Sequence, residues 1–159
     1  MSNDKNDERK GDGLIATNRK ARRDFHIIET YQCGISLAGP EVKSLRNKHV
    51  SIDEAFARTD GAQLTLYAMN IKTYEFSRGD IAPDRPRTLL AHKKEIIEMS
   101  RHLEERGTTL IPLRLDFVRG YVKVTLGVAR GKKSYDKRQD LKKRDSQREI
   151  DRALKSRNR

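Results

Sequence analysis

The side chains of this sequence that are able to carry chemistry are few, and their spacing rules out most reactions. Four histidines stand at His26, His49, His92 and His102. None belongs to an HExxH pair or lies beside paired cysteines, so a zinc ligand set is missing and no metal is expected. Cys33 is the one cysteine. It can form no intrachain disulfide, suits a reducing compartment, and reads as a core thiol in preference to a nucleophile. The serines lack a nucleophile-elbow context, and no GxxxxGK(S/T) phosphate loop is present, although Gly127 and Gly131 bracket a basic turn. The neighbouring Glu104 and Glu105 read as a solvated helix end. The expectation is a protein with no catalytic residue and no cofactor.

What the sequence offers instead is positive charge. Lys and Arg number 35 against 23 Asp and Glu, a net +12 with an isoelectric point near 10.0. Such a balance selects a polyanion, either nucleic acid or an acidic membrane surface. The charge is clustered. Asn18-Arg19-Lys20-Ala21-Arg22-Arg23 forms one block, Arg85 and Arg87 flank Pro86 ahead of His92-Lys93-Lys94, and Gly131-Lys132-Lys133 leads into Asp136-Lys137-Arg138. Clusters at strand ends and loops around a small fold outline a phosphate-binding surface. Aromatic residues make up only 6%, and few fall beside these clusters. That favours a folded RNA recognised by shape and backbone over a single strand read by stacking. No apolar run reaches membrane-spanning length and no basic-then-apolar leader precedes it. A soluble, cytoplasmic protein is expected, with no membrane partner.

The elements that must position these cations can be read from periodicity. Hydrophobic residues are 35% and charged residues 36% of the 159, which suits one small core with polar extensions. Residues 1–13 mix both signs and are expected to be disordered; 14–131 hold the core; 132–159 form a basic tail. From Arg130 onward thirteen Lys/Arg face five Asp/Glu, so +8 of the +12 resides there. Ile27–Leu37, Ile111–Phe117 and Val122–Val128 alternate with period two, the mark of half-buried antiparallel strands. Arg119-Gly120 joins the last two as a hairpin, and Asp60-Gly61 joins Ile52–Arg58 to Leu64–Ile71. Pro40 after Gly39 starts a short helix. A second helix is expected from Leu89 to Glu105, striped by Leu89, Leu90, Ile96, Ile97 and Leu103 and stopped at Gly107. A polar loop spans Tyr74 to Arg87, and the tail can fold as a helix over Gln147–Lys155. A mainly β fold with helices results, most economically a small closed antiparallel OB-like barrel without edges, although pattern alone leaves another α+β arrangement open.

Four blocks then resemble one family, small protein B, the SsrA-binding proteins. Asn18-Arg19-Lys20-Ala21-Arg22 is similar to its N-R/K-R/K-A-R segment. Gly39-Pro40-Glu41-Val42-Lys43-Ser44-Leu45-Arg46 resembles G-x-E-V-K-S-L-R. Arg87 through Glu95 resembles R-K-L-L-L-H-K-K-E, and Gly127 through Arg138 resembles I-G-x-A-K-G-K-K-x-Y-D-K-R. The blocks keep family order and spacing from about Ala16 to the end. The resemblance implies an OB-like barrel and a tail that is disordered free and helical on the ribosome. It implies a non-catalytic protein that binds the tRNA-like domain of tmRNA. With alanyl-tmRNA, and through it elongation factor Tu, the protein would enter the A site of stalled ribosomes, at the decoding centre and mRNA channel, and enable trans-translation. RNA-facing roles carried over fall on Asn18, Lys20, Arg22, Gln32, Arg46, Leu89, Lys123, Lys132 and Lys133; a ribosome-engaging role falls on Asp136, Lys137 and Arg138. Gln32 stands where the family has a glutamate, and Thr88 and Ala91 stand where it usually has Lys and Leu. A general ribosomal or RNA-chaperone protein with the same fold is the alternative.

Overall fold

The computed structural model describes residues 12–132 and 134–157, the side chains of 134–137 excepted. Among the described residues, nine strands and four helices follow in the order β1 (Gly13–Thr17), α1 (Arg19–Asp24), β2 (Phe25–Ile35), α2 (Gly39–Arg46), β3 (Val50–Ser51), β4 (Phe56–Asp60), β5 (Gln63–Tyr67), β6 (Asn70–Ile71), β7 (Arg87–Leu90), α3 (Lys93–Glu104), β8 (Thr108–Val118), β9 (Tyr121–Gly131) and α4 (Ser134–Arg157). Every strand pairing is antiparallel, and the pairing runs from β4 through β5, β7, β2, β9 and β8 back to β4. This OB-like ring closes through the single register Ala57 to Leu110, with β1 riding on β8 and β3–β6 set apart as a two-stranded ribbon. Closure shortens the open edges of the ring strands, although β2 meets β7 only at Gly34 and Ile35, which leaves the rest of β2 without a strand partner on that side among the described residues.

Both expected hairpins are present. Val118 pairs with Tyr121 across Arg119 and Gly120, whose φ angles of 53° and 81° are the two positive values that a tight, twist-matched turn needs. Asp60 pairs with Gln63 across Gly61. Asp12 closes the first turn from outside by accepting the N–H groups of Arg119 and Gly120 at 2.9 and 3.2 Å. Of the segment expected at 1–13, then, Asp12 and Gly13 are tied into the sheet, and 1–11 lie outside the described residues.

The ring interior is aliphatic, built from Leu64, Leu66, Leu110, Leu115, Val124, Leu126 and Val128, with Cys33 among them. Burial pushes the Cys33 thiol up to about 11, which keeps it protonated and inert. The alternation in Ile111–Phe117 does not keep one face. A bulge between Pro112 and Arg114 shifts the register, so Leu110, Leu115 and Phe117 enter the main core while Ile111 and Leu113 turn to a second cluster with Ala21 and Ala129. Proline suits that place because a bulge asks no ladder N–H of it. A matching bulge between Ile27 and Glu29 splits β2, sending Ile27 to the second cluster.

The long helix starts later than the sequence suggests. Leu89 and Leu90 belong to β7, where Arg87 and Leu89 point inward and Thr88 and Leu90 outward. Four residues with a two-residue period complete the ring between β5 and β2, and that tertiary demand outweighs leucine's helix preference. Helix α3 begins after His92, whose N–H donates to Glu95 Oε2 at 3.4 Å. It buries Ile96 and Met99 and packs Leu103 against the core, leaving Ile97 exposed. Each fully buried side chain of this size contributes about 1.5–3 kcal/mol.

Candidate nucleic-acid interface

Helix α1 is the first display element. Its cap is Asn18, and the bulge at 112–114 supplies the seat. Asn18 N–H donates to the Leu113 carbonyl at 2.8 Å, its side-chain amide donates to the carbonyls of Pro112 (3.0 Å) and Ile52 (3.2 Å), and its Oδ1 accepts from Ala21 N–H (3.0 Å). With Ala21 turned into the second cluster, the helical period leaves Arg19, Lys20, Arg22 and Arg23 exposed together. Lys20 Nζ sits 2.6 Å from Glu54, and that carboxylate's hydrogen bond raises the lysine's pKa. Arg22 and Arg23 fall in the last turn, where cations oppose the helix dipole favourably.

Lys132 fastens this helix to the tail. Its N–H donates to the Asp24 carbonyl at 2.9 Å; its ammonium reaches the Arg22 carbonyl at 3.2 Å and pairs with Asp140 of α4. The side chain is only 6% exposed. The ammonium's hydrogen bond holds the Asp140 carboxyl below its ordinary range. Helix α4 is otherwise exposed along nearly its whole described length, Arg138 included. Asp136 and Lys137 lie in its first turn, and Lys133 lies outside the described residues. The helix is longer than the Gln147–Lys155 segment that the pattern of Ile150 and Leu154 suggested.

A second assembly lies on the outward surface of β2 and β9. Gln32 pairs with Thr125, and two rungs on, past Cys33 and Val124, Gly34 pairs with Lys123 on the same face. Leu90 of β7 lies opposite Gly34 and is 59% exposed. A Cβ on Gly34 would come within 3.3 Å of Leu90 Cβ, so glycine lets the strands lie flat there. Arg114, facing Thr125, holds Asp116 in a bidentate pair at 2.8 and 2.6 Å. Gln32 and Lys123 thus share one flat face.

The remaining sites fall elsewhere. Arg46 is exposed on α2, its guanidinium 4.9 Å from the centre of the Phe117 ring. Asn18 and Leu89 are 3% and 2% exposed, so both are interior: the first shapes α1, and the second anchors β7 beneath Leu90. Arg87 also leaves the surface that the Arg85–Arg87 cluster suggested. At 1% exposed, it binds Glu41 at 2.6–2.7 Å and the carbonyls of Met69 (2.6 Å), Pro83 (2.9 Å) and Arg85 (3.1 Å). Arg85 pairs with the same carboxylate. Burial alone would raise the Glu41 pKa, but Arg85, the Ala38 N–H and Arg87 together hold it below the usual carboxylate value. The cluster clamps α2 and the 72–86 loop to the ring, which fixes the platform from which Arg46 projects.

Three aromatic groupings had no signal in composition. Phe56 stacks on Tyr67 at 5.5 Å with Arg58 over both rings, Tyr74 meets Phe76 edge to face with Lys43 above it, and Phe117 carries Arg46. Lys43 and Arg46 both come from α2, whereas their rings belong to the 72–86 loop and to β8; Arg58 shares β4 with Phe56. Only Phe56 and Arg58, spaced by two on a strand, were findable from the sequence.

Among the described residues, no cluster of His, Cys, Asp and Glu is placed to hold a metal, and no helix is long and apolar enough to cross a membrane. Comparison with known proteins finds a match to the SmpB protein family model over residues 15–156. The SsrA-binding protein of Carboxydothermus hydrogenoformans is 49% identical over 145 residues, covering 91% of this chain and 97% of its own. That of Listeria welshimeri is 47% identical over 150 residues, covering 93% and 97%. A solved chain from a structure described as "tmRNA-SmpB: a journey to the center of the bacterial ribosome" superposes with a TM-score of 0.65 at 46% identity, over 75% of this chain and 85% of that one.

Proposed function

The chain belongs to the SmpB protein family, and from that premise we propose that it binds tmRNA and acts with it on the bacterial ribosome in trans-translation, the rescue of stalled ribosomes. The observation that carries this is the joining of α1 to α4. Four exposed cations on a capped six-residue helix sit beside a basic 24-residue helix, with Lys132 linking the two. Cations fixed on short, anchored elements suit the regular phosphates of a folded RNA. A long, solvent-exposed, basic helix suits an RNA-walled channel.

In finer detail, the tRNA-like domain of tmRNA lies against Lys20 and Arg22 on one side and against Gln32 and Lys123 on the other. Asn18 and Leu89 act by positioning α1 and β7. Lys133, next to Lys132 in the sequence, adds positive charge to the same RNA contact. Elongation factor Tu is reached only through alanyl-tmRNA. The tail, led by Asp136, Lys137 and Arg138, engages the decoding centre and mRNA channel after binding. The protein works by binding and positioning, in the cytoplasm, and catalyses nothing.

Recovery of the tagged full chain from bacterial lysate, with sequencing of the bound RNA, tests the reading. Dominant tmRNA is the expected result. A flat profile of ribosomal RNA would replace it with a general RNA chaperone.

A further inference from the structure

The loop between β6 and β7 carries a group that the interface above does not use. Phe76 is 76% exposed and meets Tyr74 edge to face, centroids 5.6 Å apart. Lys43 of α2 lies 5.3 Å from the Tyr74 ring centre. An exposed phenyl ring on a loop would ordinarily be mobile, but this loop is nailed at its base. Ile71 N–H donates to the Pro83 carbonyl at 2.9 Å, the buried Arg87 donates to the same carbonyl and to that of Arg85, and Ser77 N–H closes a turn on Tyr74 at 3.0 Å. The aromatic pair is therefore held out on a fixed support.

We propose that Phe76 and Tyr74 form a stacking site for one unpaired nucleobase of RNA, with Lys43 and Lys72 taking the adjoining phosphates. The proposal rests on the RNA-binding reading above and extends it to a face of the molecule apart from α1 and the tail. A protein partner fits less well. The exposed ring stands between the charged Glu75 and Arg78, so the apolar area is that of a single ring, too small for a protein interface core and matched to the flat face of a base. Glu75 and Asp80 also discourage a nucleic-acid backbone from running along the loop, which limits the contact to one flipped-out base.

The base can come from tmRNA or from ribosomal RNA, and two arms separate them. The full chain is bound to purified tmRNA in one and to purified ribosomes in the other, then cross-linked with ultraviolet light and mapped by mass spectrometry. A nucleotide adduct on Phe76 is expected in at least one arm. In that arm Phe76→Ala should weaken binding about tenfold, within what one stacked base contributes, while Phe76→Trp retains it. The salt dependence should be unchanged in Phe76→Ala, because stacking releases no counterions, whereas Lys43→Ala should reduce the log–log slope by about 0.7–0.9. An adduct to a ribosomal protein in place of a nucleotide, or unchanged affinity of Phe76→Ala in both arms, would overturn the stacking site. Failure of the wild-type chain to bind either RNA would overturn the functional reading itself.

Discussion

At the scale of single residues, basic side chains that look alike in the sequence do different work. Arg46 and Arg87 both sit in family-like blocks, yet one is exposed above the rim of the buried Phe117 ring and the other is sealed against Glu41. Arg46→Ala should lower tmRNA affinity while changing stability by under about 0.5 kcal/mol, as surface substitutions do. Arg87→Ala should cost about 3–5 kcal/mol in urea unfolding, because it removes the buried partner of Glu41, leaving only Arg85 and the Ala38 N–H, and takes a donor from the carbonyls of Met69 and Pro83. The same carboxylate sets a pH dependence. Its folded pKa lies below the unfolded value of about 4.3, so the native state binds fewer protons in that window. The stabilisation is complete above the unfolded pKa and is lost as pH falls through the folded one. Denaturation midpoints should therefore drop on acidification below about pH 4, and Glu41→Gln should flatten that drop while lowering stability at neutral pH. None of this was legible beforehand. A charged residue in a charged chain gives no local sign of burial, and the carbonyls that satisfy Arg87 come from Met69, Pro83 and Arg85 in a loop without periodicity.

At the scale of elements, the hairpins at Asp60-Gly61 and Arg119-Gly120 were legible because turn chemistry and alternation are local. The start of α3 was not, since whether Leu89 and Leu90 continue a helix or close a ring depends on β5 and β2, distant in sequence. The bulge that turns Leu113 away from Leu115 was equally silent, although Pro112 marks it in retrospect. Of the expected interface, α1 and the Gln32–Lys123 face came together, while Asn18 and Leu89 moved inside, where spacing alone gave no warning. Helix α4 raises a question of energetics. Its described side chains are largely exposed, its large aliphatic residues are Leu141, Ile150 and Leu154, and the Lys132–Asp140 ion pair joins its body to the Arg22 carbonyl of α1. A helix so poor in tertiary contacts draws little stability from packing and should exchange with coil in the free protein. Truncation after Tyr135, or Asp136→Ala with Lys137→Ala, should leave tmRNA binding within severalfold of wild type but abolish peptidyl transfer to alanyl-tmRNA on stalled ribosomes. Rescue of transfer by a scrambled tail of equal charge would show that the tail adds only non-specific affinity.

At the scale of the whole molecule, a ring of aliphatic side chains presents cations on short, anchored elements, and two-thirds of the net charge lies from Arg130 onward. Binding should weaken steeply with salt. Neutralising about six phosphates gives a log–log slope of about −4 to −5, read from titrations at several salt concentrations. A slope near zero would remove the electrostatic account. Charge alone, however, would serve any RNA, and the central claim is selectivity for tmRNA. The most direct measurement is a competition titration at fixed physiological salt. The full chain is bound to the tRNA-like domain of tmRNA and challenged with a ribosomal RNA hairpin of the same length. The complex should survive a large molar excess of the hairpin, the result that the contacts proposed for α1 and the Gln32–Lys123 face require. Displacement at equal concentrations of hairpin and tRNA-like domain would contradict it.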